Sequence, residues 1–523
     1  MSNEFSPEML PALFKERMKA ELGYEYDDFI KSYEKPYRSA LRINTLKFGG
    51  DELRNTINEL YAADVDSAKE IIEEELGCKL EPVPWAKNGF YYDDTARPGK
   101  HPMHDAGLYY IQEPSAMRVA TVGFDDNVIL QDAAFTDAMA NASSKDAFDN
   151  KNEFQQGTSG VLKVLDLCAA PGGKTTAIAD FMQGEGVLVA NEIHPSRAKI
   201  LSSNVERMGI TNCFVTNETP ENLAQHFPGF FNKIFVDAPC SGEGMFRKEE
   251  DAIKCWSQEN INLCAARQKD ILQEAVKMLA PGGTLIYSTC TFAREEDEEI
   301  VKWLEKDLQL SCTYQEKMLP HQVDGEGHFI AVLVDKSVWS DAGKNIKTKR
   351  KQVRCSFNAD LVDDFLNEVL RKEVKENLSL GKELISYGDN IYLAPSNVNL
   401  KGLKCLRPGL QLGKITTAKR SGEQRFTPAH AFALALHADE IEGYFMDLAA
   451  TDAQRYLAGE TIDANDSPSN IDDIMSEMGL SFKNYSFVVE GWVLFTICGV
   501  SLGWGKANDN IIKNHLPKGL RHN

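Results

Sequence analysis

Strands and helices are expected to alternate regularly between residues 161 and 310, and this alternation restricts the possible fold more than any other feature. Apolar runs such as VLKVLDL and GVLVANE are each followed by a stretch that can form a helix. Runs of this length between helices are typical of a parallel sheet that helices cover on both faces. Ligands of such α/β sheets bind beyond the carboxyl ends of the strands. The expected strands are 161–167, 186–192, 213–217, 233–238 and 284–289, with a late antiparallel strand at 327–335.

The composition is that of an ordinary globular protein, with 43% hydrophobic and 26% charged residues. No apolar run approaches the roughly 18 residues that would indicate a membrane-spanning helix. The first residues, MSNEFSPEMLPALFKERMKAEL, lack the basic and then apolar pattern of a signal peptide. We therefore expect a cytoplasmic protein without a membrane partner.

The eleven cysteines form no CxxC pair and no His/Cys cluster at zinc spacing. Neither a disulfide framework nor a metal site is therefore expected. The formal net charge of -21 argues against non-specific nucleic-acid binding by the chain as a whole, although a local basic surface is compatible with it.

The segment DLCAAPGGKT, residues 166–175, places two glycines between a buried strand and the start of a helix. Glycines let the backbone approach a ligand closely, and a helix N-terminus offers free N–H donors. The segment has neither phosphate-loop spacing nor GxGxxG spacing. Glu192 ends the next strand, where an acid can accept hydrogen bonds from ribose hydroxyls or cap a helix. Together the loop and the acid favour an adenosine-bearing cofactor.

Two cysteines are expected at the ligand edge of the sheet. Cys240 lies in a turn between Pro239 and Ser-Gly-Glu-Gly, and Cys290 follows the strand 284–289. A thiol becomes a nucleophile as the thiolate, and a neighbouring cation lowers its pKa from about 8.5. Lys174 is a candidate for that cation. The other nine cysteines are interpreted as ordinary core residues.

The stretch from about 107 to 310 resembles the Nol/Nop/Sun family of RNA cytosine-5 methyltransferases. The matching segments are YYIQEPSAM, LDLCAAPGGKT, VDAPCSGEGMFRK and YSTCTF, in this order, together with RINTLK further upstream. The C-terminal GWVLFTICGVSLGWGKANDNIIKNHLPKGLR is similar to the PUA-like module of the bacterial small-subunit rRNA methyltransferases of the F type. The resemblance implies a monomeric enzyme that methylates carbon 5 of cytosine in 16S rRNA.

The fold that the resemblance implies is α/β, with a Rossmann-like class I methyltransferase core between two smaller parts. The expected units are an N-terminal α/β RNA-binding subdomain at 1–105, a methyltransferase core at 106–338 with a surface insertion at 125–160, a basic linker with a small connecting domain at 339–400, and a PUA-like RNA-binding module at 401–523. Binding of a polyanion by an acidic chain requires segregated charge. A positive path is therefore expected from the basic run 343–354, Arg247, Lys248, Lys513, Lys518 and Arg521.

The resemblance also implies roles for individual residues. Cys290 attacks carbon 6 of cytosine, Asp237 faces the N3 and N4 edge of the base, and Cys240 assists release. The methyl donor is S-adenosylmethionine. Its implied binding residues are Cys168, Ala169, Ala170, Pro171, Gly172, Gly173, Lys174, Glu192, Arg197, Asn217, Thr219 and Asp237. Thr219 stands where the family commonly has an Asp for the adenine amino group, so Asn217, Glu218 or a backbone group is an alternative contact.

Other interpretations remain open at this stage. Cys240 follows a proline, as does the attacking cysteine of DNA cytosine-5 methyltransferases. Methylation of an amino group would call for Asp/Asn-Pro-Pro and an aromatic, whereas here Asp237-Ala238-Pro239-Cys240 ends in a thiol. The substrate could be tRNA or another RNA, and the chain could be a non-catalytic RNA-binding factor in ribosome assembly.

Overall fold

The computed structural model describes residues 5–48, 64–129, 161–335, 357–396, 398–418, 420–463, 490–508 and 511–522. Two expected features lie outside these residues: nearly all of the insertion at 125–160 and the basic run 343–354. The sequence pattern of 51–62 also predicts a helix, which lies outside them as well.

The N-terminal part contains a four-stranded antiparallel sheet. Its strands are β1 Ala40–Ile43, β2 Glu81–Pro82, β3 Gly89–Tyr91 and β4 Tyr109–Ile111, in the order β2-β3-β1-β4. The helices of this part are Ala12–Leu22, Tyr26–Ser32, Val65–Leu76 and Pro102–Asp105. The first two helices bury Phe14 and Phe29 against Phe246 and Phe292 of the core, which joins this part firmly to the central sheet.

One sequence expectation fails in this region. The aromatic-led pattern of GLYYIQEPSAMRVATVG, residues 107–123, predicts a helix, but Tyr109–Ile111 pairs with β1 as a strand. The helix begins only at Pro114, with the Glu113 side chain capping its N-terminus. Proline disfavours helical geometry in the residue before it, which explains why the helix cannot extend backwards into the tyrosines.

The central sheet has eight strands and carries the expected parallel topology. The strands are β5 Lys163–Asp166, β6 Val187–Asn191, β7 Cys213–Thr216, β8 Phe231–Asp237, β9 Leu279–Thr289, β10 Leu310–Met318, β11 His328–Asp335 and, from the C-terminal part, β14 Cys405–Pro408. Their order is β10-β11-β9-β8-β5-β6-β7-β14. The neighbours among β5 to β9 are parallel, whereas β10, β11 and β14 are antiparallel.

Helices cover both faces of this sheet, as the apolar strands require. They are Pro114–Gly123, Asp126–Ile129, Gly173–Met182, Pro195–Arg207, Pro220–His226, Glu250–Cys255, Gln258–Met278 and Glu298–Asp307. Two buried apolar clusters result, one on each face, represented by Val164 and Leu188 on one side and by Leu165 and Val189 on the other.

The C-terminal part contains two further sheets. The first consists of β12 Lys382–Tyr387, β13 Asn390–Pro395, β15 Leu410–Thr417 and β16 Gln424–Pro428, and the second of β17 Tyr444–Asp447, β18 Ile462–Asp463, β19 Glu490–Ile497, β20 Val500–Asn508 and β21 Ile511–Asn514. The accompanying helices are Asp360–Val369, Lys372–Ser379, His430–Leu434 and Ala450–Leu457. The boundary expected at residue 400 falls inside the first of these sheets, because β13 pairs directly with β15.

Candidate active site

Cys240 and Cys290 meet at the carboxyl edge of the central sheet. Cys240 lies in the loop after β8, and Cys290 directly follows β9. Because β8 and β9 are parallel neighbours, their ends bring the two thiols together, and the Sγ atoms are 3.2 Å apart. Both side chains are partly exposed, so the pair can be reached from outside the protein.

Asp237, the last residue of β8, lies beside the cysteines and is held by a cation. Its Oδ2 is 2.8 Å from Nζ of Lys174, and its Oδ1 accepts a hydrogen bond from Ser288 at 2.9 Å. Burial alone would raise the pKa of Asp237, but the charge of Lys174 and the contact with His328 outweigh it and hold this pKa well below its usual range. The carboxylate is therefore ionised, and 32% of the side chain is open to solvent.

The same interaction fixes the charge of Lys174. Burial lowers the pKa of this ammonium, but Asp237 and, more weakly, Cys290 raise it, and the net direction is upward. Lys174 thus stays protonated beside Asp237, and its positive charge also interacts with Cys290.

Cys240 has the properties of a thiol that keeps its proton. Its hydrogen bond with Cys290, and burial next, raise its pKa well above the ordinary value. The loop that carries Cys240 is fixed by Glu296, whose carboxylate accepts a hydrogen bond from the backbone N–H of Ser241 at 3.0 Å. Ser241 Oγ also lies 2.8 Å from Oγ1 of Thr291, the residue after Cys290, so one network positions both thiols.

The glycine loop after β5 is held by two side chains of the helix Pro195–Arg207. Arg197 donates to the carbonyl of Ala170 at 2.7 Å, and Asn204 donates to the carbonyl of Pro171 at 2.8 Å. Gly172 has φ of 119°, a conformation that side chains rarely adopt, and Gly173 begins the following helix. Ala169 donates to the carbonyl of Asn191 at 2.8 Å, which ties the loop to β6. Cys168 is no reactive thiol here, because burial raises its pKa strongly.

Glu192 directly follows β6, and Asn217 and Thr219 follow β7. The Glu192 carboxylate accepts from the backbone N–H of His194 at 2.9 Å and lies 3.5 Å from Arg197. Asn217 donates to the carbonyl of Glu192 at 2.7 Å, while Thr219 caps the helix Pro220–His226. The Thr219 hydroxyl is thus already engaged with the backbone N–H of Asn222.

Three residues beside this site were not identified from the sequence. Ser288 and His328 contact Asp237, the histidine at 3.7 Å, and Gln112 approaches Gly173 of the glycine loop. His328 Nε2 and Gln112 Nε2 are buried polar atoms with no hydrogen-bond partner among the described residues. Gln112 belongs to the motif YYIQEPSAM, but no role was predicted for this glutamine from the sequence.

The prediction of a positive path is wrong for one of its residues, Arg247. The Arg247 guanidinium is buried, pairs with Glu326 at 2.8 Å and donates to the carbonyl of Ser32 at 3.0 Å. It is therefore not a free surface cation. Lys513 and Lys518 are exposed, and Lys248 is half-buried beside Tyr37.

Four family descriptions match successive parts of the chain. They are "16S rRNA methyltransferase RsmB/F" over residues 159–334, "N-terminal domain of 16S rRNA methyltransferase RsmF" over 10–114, "RsmF rRNA methyltransferase first C-terminal domain" over 364–436 and "Methyltransferase RsmF PUA domain" over 444–522. Together with the central sheet, these matches define a Rossmann-like methyltransferase with a PUA domain at its C-terminal end.

Relatives that align with nearly the whole chain identify the methyltransferase family more closely. The "Ribosomal RNA small subunit methyltransferase F" of Shewanella loihica is 30% identical over 94% of this chain and 91% of its own length. That of Vibrio vulnificus is 29% identical over 98% and 97%. For Pectobacterium atrosepticum the identity is 32%, over 63% of each chain. The chain belongs to the ribosomal RNA small subunit methyltransferase F family of rRNA methyltransferases.

Solved structures show more distant similarity. The "Methyltransferase Homolog Protein from Pyrococcus Horikoshii" is 24% identical, with a TM-score of 0.46 over 63% of this chain and 99% of that chain. "NSun6 from Pyrococcus horikoshii with SFG" is 18% identical, with a TM-score of 0.47 over 62% and 98%.

Two kinds of feature are absent from the described residues. None of their helices is long and apolar enough to cross a membrane, and no three of their His, Cys, Asp or Glu side chains are grouped to hold a metal ion.

Proposed function

We propose that this chain methylates carbon 5 of a cytosine in 16S rRNA through a transient bond between Sγ of Cys290 and carbon 6 of the base. The observation that carries the proposal is the pair of thiols 3.2 Å apart beside an ionised Asp237. Carbon 5 of cytosine is a weak nucleophile, and addition of a thiolate at carbon 6 makes it an enamine carbon. After a methyl group is transferred to carbon 5, a base removes the carbon 5 proton and the thiolate is expelled, which restores the aromatic ring.

Cys290 is proposed as the attacking thiol, and Cys240 as the one that assists release. The Lys174 ammonium interacts electrostatically with the Cys290 sulfur, which contributes to the raised pKa of the lysine. The raised pKa of Cys240 keeps its proton in place, so its S–H can hydrogen-bond the Cys290 sulfur as it departs. The alternative, in which Cys240 attacks, exchanges the roles of the two thiols and is distinguished by trapping the covalent intermediate.

Asp237 is proposed to orient the base. Its ionised carboxylate can accept a hydrogen bond from the exocyclic amine of cytosine, while Lys174 and Ser288 hold it in place. A base in a duplex cannot reach such a pocket, so the target must be single-stranded or flipped out of its stack.

S-adenosylmethionine is proposed as the methyl donor, and the residues present fit it. The orphaned Nε2 of Gln112, the Gly172 conformation and the free N–H groups of the helix that begins at Gly173 form a polar cradle. The residues proposed to hold the cofactor are Cys168, Ala169, Ala170, Pro171, Gly172, Gly173, Lys174, Glu192, Arg197, Asn217, Thr219 and Asp237. When bound, the cofactor supplies an electrophilic methyl group on a sulfonium.

The adenine contact is proposed to come from Asn217 or a backbone group rather than from the Thr219 side chain. Thr219 Oγ1 already accepts from Asn222 as a helix cap, and Glu218 accepts from the backbone N–H of Lys404 at 2.6 Å. We further propose that the chain acts as a monomer in the cytoplasm, with RNA-binding units at 1–105 and in the C-terminal PUA domain.

The two cysteines can be separated by trapping the covalent intermediate. Purified wild-type, Cys240→Ala and Cys290→Ala proteins are incubated with in vitro transcribed 16S rRNA and S-adenosylmethionine and run on a denaturing gel. We expect Cys240→Ala to accumulate a protein–RNA adduct and Cys290→Ala to form none. The opposite pattern would assign the attack to Cys240.

Transfer of labelled methyl to 16S rRNA, followed by nucleoside analysis, tests the reaction itself. We expect 5-methylcytidine as the labelled product. Label on an adenine or cytosine amino group would refute the carbon 5 assignment, and absence of label on every rRNA form would favour a non-catalytic RNA-binding role.

A further inference from the structure

A groove lies between the N-terminal part and the loop that leads into β11. Its volume is about 670 Å³, within the range of pockets that hold small ligands. We call it the aromatic groove and define it by Lys31, Lys35, Tyr37, Trp85, Tyr91 and His321. A second cleft shares Tyr37 and Tyr91 with it and extends the depression along the surface.

The aromatic groove is connected to the candidate active site through the loop before β11. Arg247 lines the groove and pairs with Glu326 at 2.8 Å. Two residues later His328 begins β11, with its Nε2 3.7 Å from Oδ1 of Asp237. The loop 324–328 therefore lines the groove at one end and contacts Asp237 at the other.

The lining combines the exposed ring of Tyr37 and the half-buried ring of Trp85 with free cations. Tyr37 is 42% exposed, and Nζ of Lys248 lies 5.2 Å from the centre of its ring. The side chains of Lys31 and Lys35 are exposed and have no ion pair among the described residues. Arg38 does not add to this charge, because Glu81 and Asp324 already neutralise it. Asp28 also lines the groove, so Lys31 and Lys35 outnumber one carboxylate there. On a chain of net charge -21, this local excess of positive charge favours an anionic ligand.

Two buried polar atoms in the lining lack a partner. The Tyr91 hydroxyl and Nδ1 of His321 make no hydrogen bond among the described residues, although Tyr91 is only 3% exposed. Burial raises the pKa of Tyr91 to about 12, so the phenol keeps its proton and remains a donor. Buried polar groups normally have partners, and an orphaned pair facing a groove is explained by a ligand that supplies them.

We propose that the aromatic groove binds the single-stranded RNA next to the target cytosine, with a base stacked on Tyr37 and phosphates at Lys31, Lys35 and Lys248. This inference rests on the proposed action on RNA and assigns the place where the flanking nucleotides are held. Stacking on aromatic side chains requires bases that are free of a duplex, which is how most proteins bind single strands. The Tyr91 hydroxyl donates to the same strand.

The test measures binding of a fluorescein-labelled, unstructured 12-nucleotide RNA by the full chain, without methyl transfer. Tyr37→Ala is expected to weaken binding roughly tenfold, the size typical of one lost stacking contact. Lys31→Gln with Lys35→Gln is expected to lower the slope of log affinity against log salt by about 1.4, since each phosphate contact of a single strand contributes about 0.7.

Matched controls keep the result specific. Tyr24→Ala removes an exposed tyrosine outside the groove, and Lys302→Gln with Lys306→Gln removes two exposed lysines from the helix Glu298–Asp307. Both controls are expected to bind RNA as the wild type does. Tyr91→Phe removes only the orphaned hydroxyl, so it should leave the melting temperature unchanged or higher while weakening RNA binding roughly fivefold.

A second measurement locates the strand directly. The same RNA with 4-thiouridine is photo-crosslinked, and the labelled peptides are expected to contain residues 31–38 or 82–91. The groove assignment would be overturned if Tyr37→Ala and the double lysine variant bound RNA with wild-type affinity and salt slope, and if crosslinks formed only elsewhere. This holds even if methylation proceeds. Conversely, groove-dependent RNA binding without methyl transfer would refute the proposed function and leave this inference standing.

Discussion

Lys174 and Asp237 form the ion pair on which the electrostatics of the candidate site depend. The two side chains are 2.8 Å apart, and the cation outweighs the effect of burial on the Asp237 carboxyl. Buried charges persist in proteins only when such a partner is present. The pair therefore has two effects: it keeps the carboxylate ionised and it holds a positive charge near Cys290.

Replacement of Lys174 with Met should shift the acid limb of the pH–rate profile. In the wild type the pKa of Asp237 is low, so its carboxylate is ionised at all working pH values. Without Lys174 burial dominates, the pKa of Asp237 rises, and activity is lost at a higher pH as pH falls. We expect kcat/KM near neutral pH to fall roughly hundredfold. The measurement is kcat/KM against pH at saturating cofactor, with Lys302→Met as the control, and an unshifted acid limb would contradict the role given to this pair.

Glu296 provides a test of the network that positions both cysteine loops. Burial raises the pKa of this carboxyl to about 7, although Ser241 and Gln268 donate hydrogen bonds to it. In the unfolded chain the pKa is about 4.3, so between about pH 4.5 and 7 the folded protein keeps a proton that the unfolded chain releases. Stability is therefore expected to fall as pH rises through this range, by about 3 kcal/mol.

Glu296→Gln should remove that pH dependence, because its amide can accept from Ser241 and Gln268 and donate to Ser241 Oγ, as the protonated acid does. Urea unfolding at pH 5 and pH 8 measures the difference. Glu299→Gln, which changes an exposed acid three residues further along the chain, is the control. If wild type and Glu296→Gln lose equal stability between the two pH values, Glu296 is not protonated in the folded protein.

At the scale of elements, β14 joins the C-terminal part to the methyltransferase core. It pairs with β7 in antiparallel fashion, and Asn217 donates to the carbonyl of Lys404 at 2.8 Å just before it. Arg407 on β14 is buried and forms an ion pair with Glu206 of the helix Pro195–Arg207. This strand closes the edge of the sheet beside the proposed nucleoside-binding residues.

Arg407→Met should therefore destabilise the core as well as the C-terminal part. Removal of one partner from a buried pair leaves the other charge uncompensated, with an expected cost of about 3 kcal/mol. Affinity for S-adenosylmethionine should also fall, because Asn217 and Glu218 are held against Lys404. Thermal melting and equilibrium dialysis measure these effects. Arg425→Met, which breaks an exposed pair with Glu423 on β16, should change neither, and equal behaviour of the two variants would contradict the role of β14.

The sequence predicts the parallel strands of the central sheet well, because their apolar runs report burial on both faces. It does not predict β14, because four residues carry little pattern and their pairing depends on a neighbour almost 200 positions earlier. The burial of Glu296 is not predictable from the sequence either. Within REEDEE this residue has the pattern of a solvated acid, yet it is fully buried just before the helix that begins at Glu298. The cysteine motifs predicted the two strand ends, whereas the contacts of His328 and Gln112 arise only from tertiary packing.

At the scale of the whole molecule, the terminal parts pack against each other. Residues of the N-terminal part such as Met103 and Tyr109 share a buried cluster with Ile512 and Leu516 near the C-terminal end. The two parts proposed to contact RNA are therefore fixed relative to each other as well as to the core. In an acidic chain, RNA binding must then depend on the few places where cations are free of carboxylates.

Lys513 and Lys518 are such cations on the C-terminal PUA domain. Both are exposed, whereas Arg521 donates to the carbonyl of Leu516 at 3.2 Å and is less available to RNA. If both lysines contact phosphates, Lys513→Gln with Lys518→Gln should lower the slope of log affinity for 16S rRNA against log salt by about 1.4 to 1.8. Affinity for S-adenosylmethionine should not change, because neither lysine lies at the carboxyl edge of the central sheet. Lys302→Gln with Lys306→Gln removes the same charge from the core and should leave the slope unaltered, since the loss of net charge alone does not remove a phosphate contact. Equal slopes in all three proteins would show that the PUA domain does not bind the RNA backbone through these residues, and the recognition of 16S rRNA would then depend on the core and the N-terminal part.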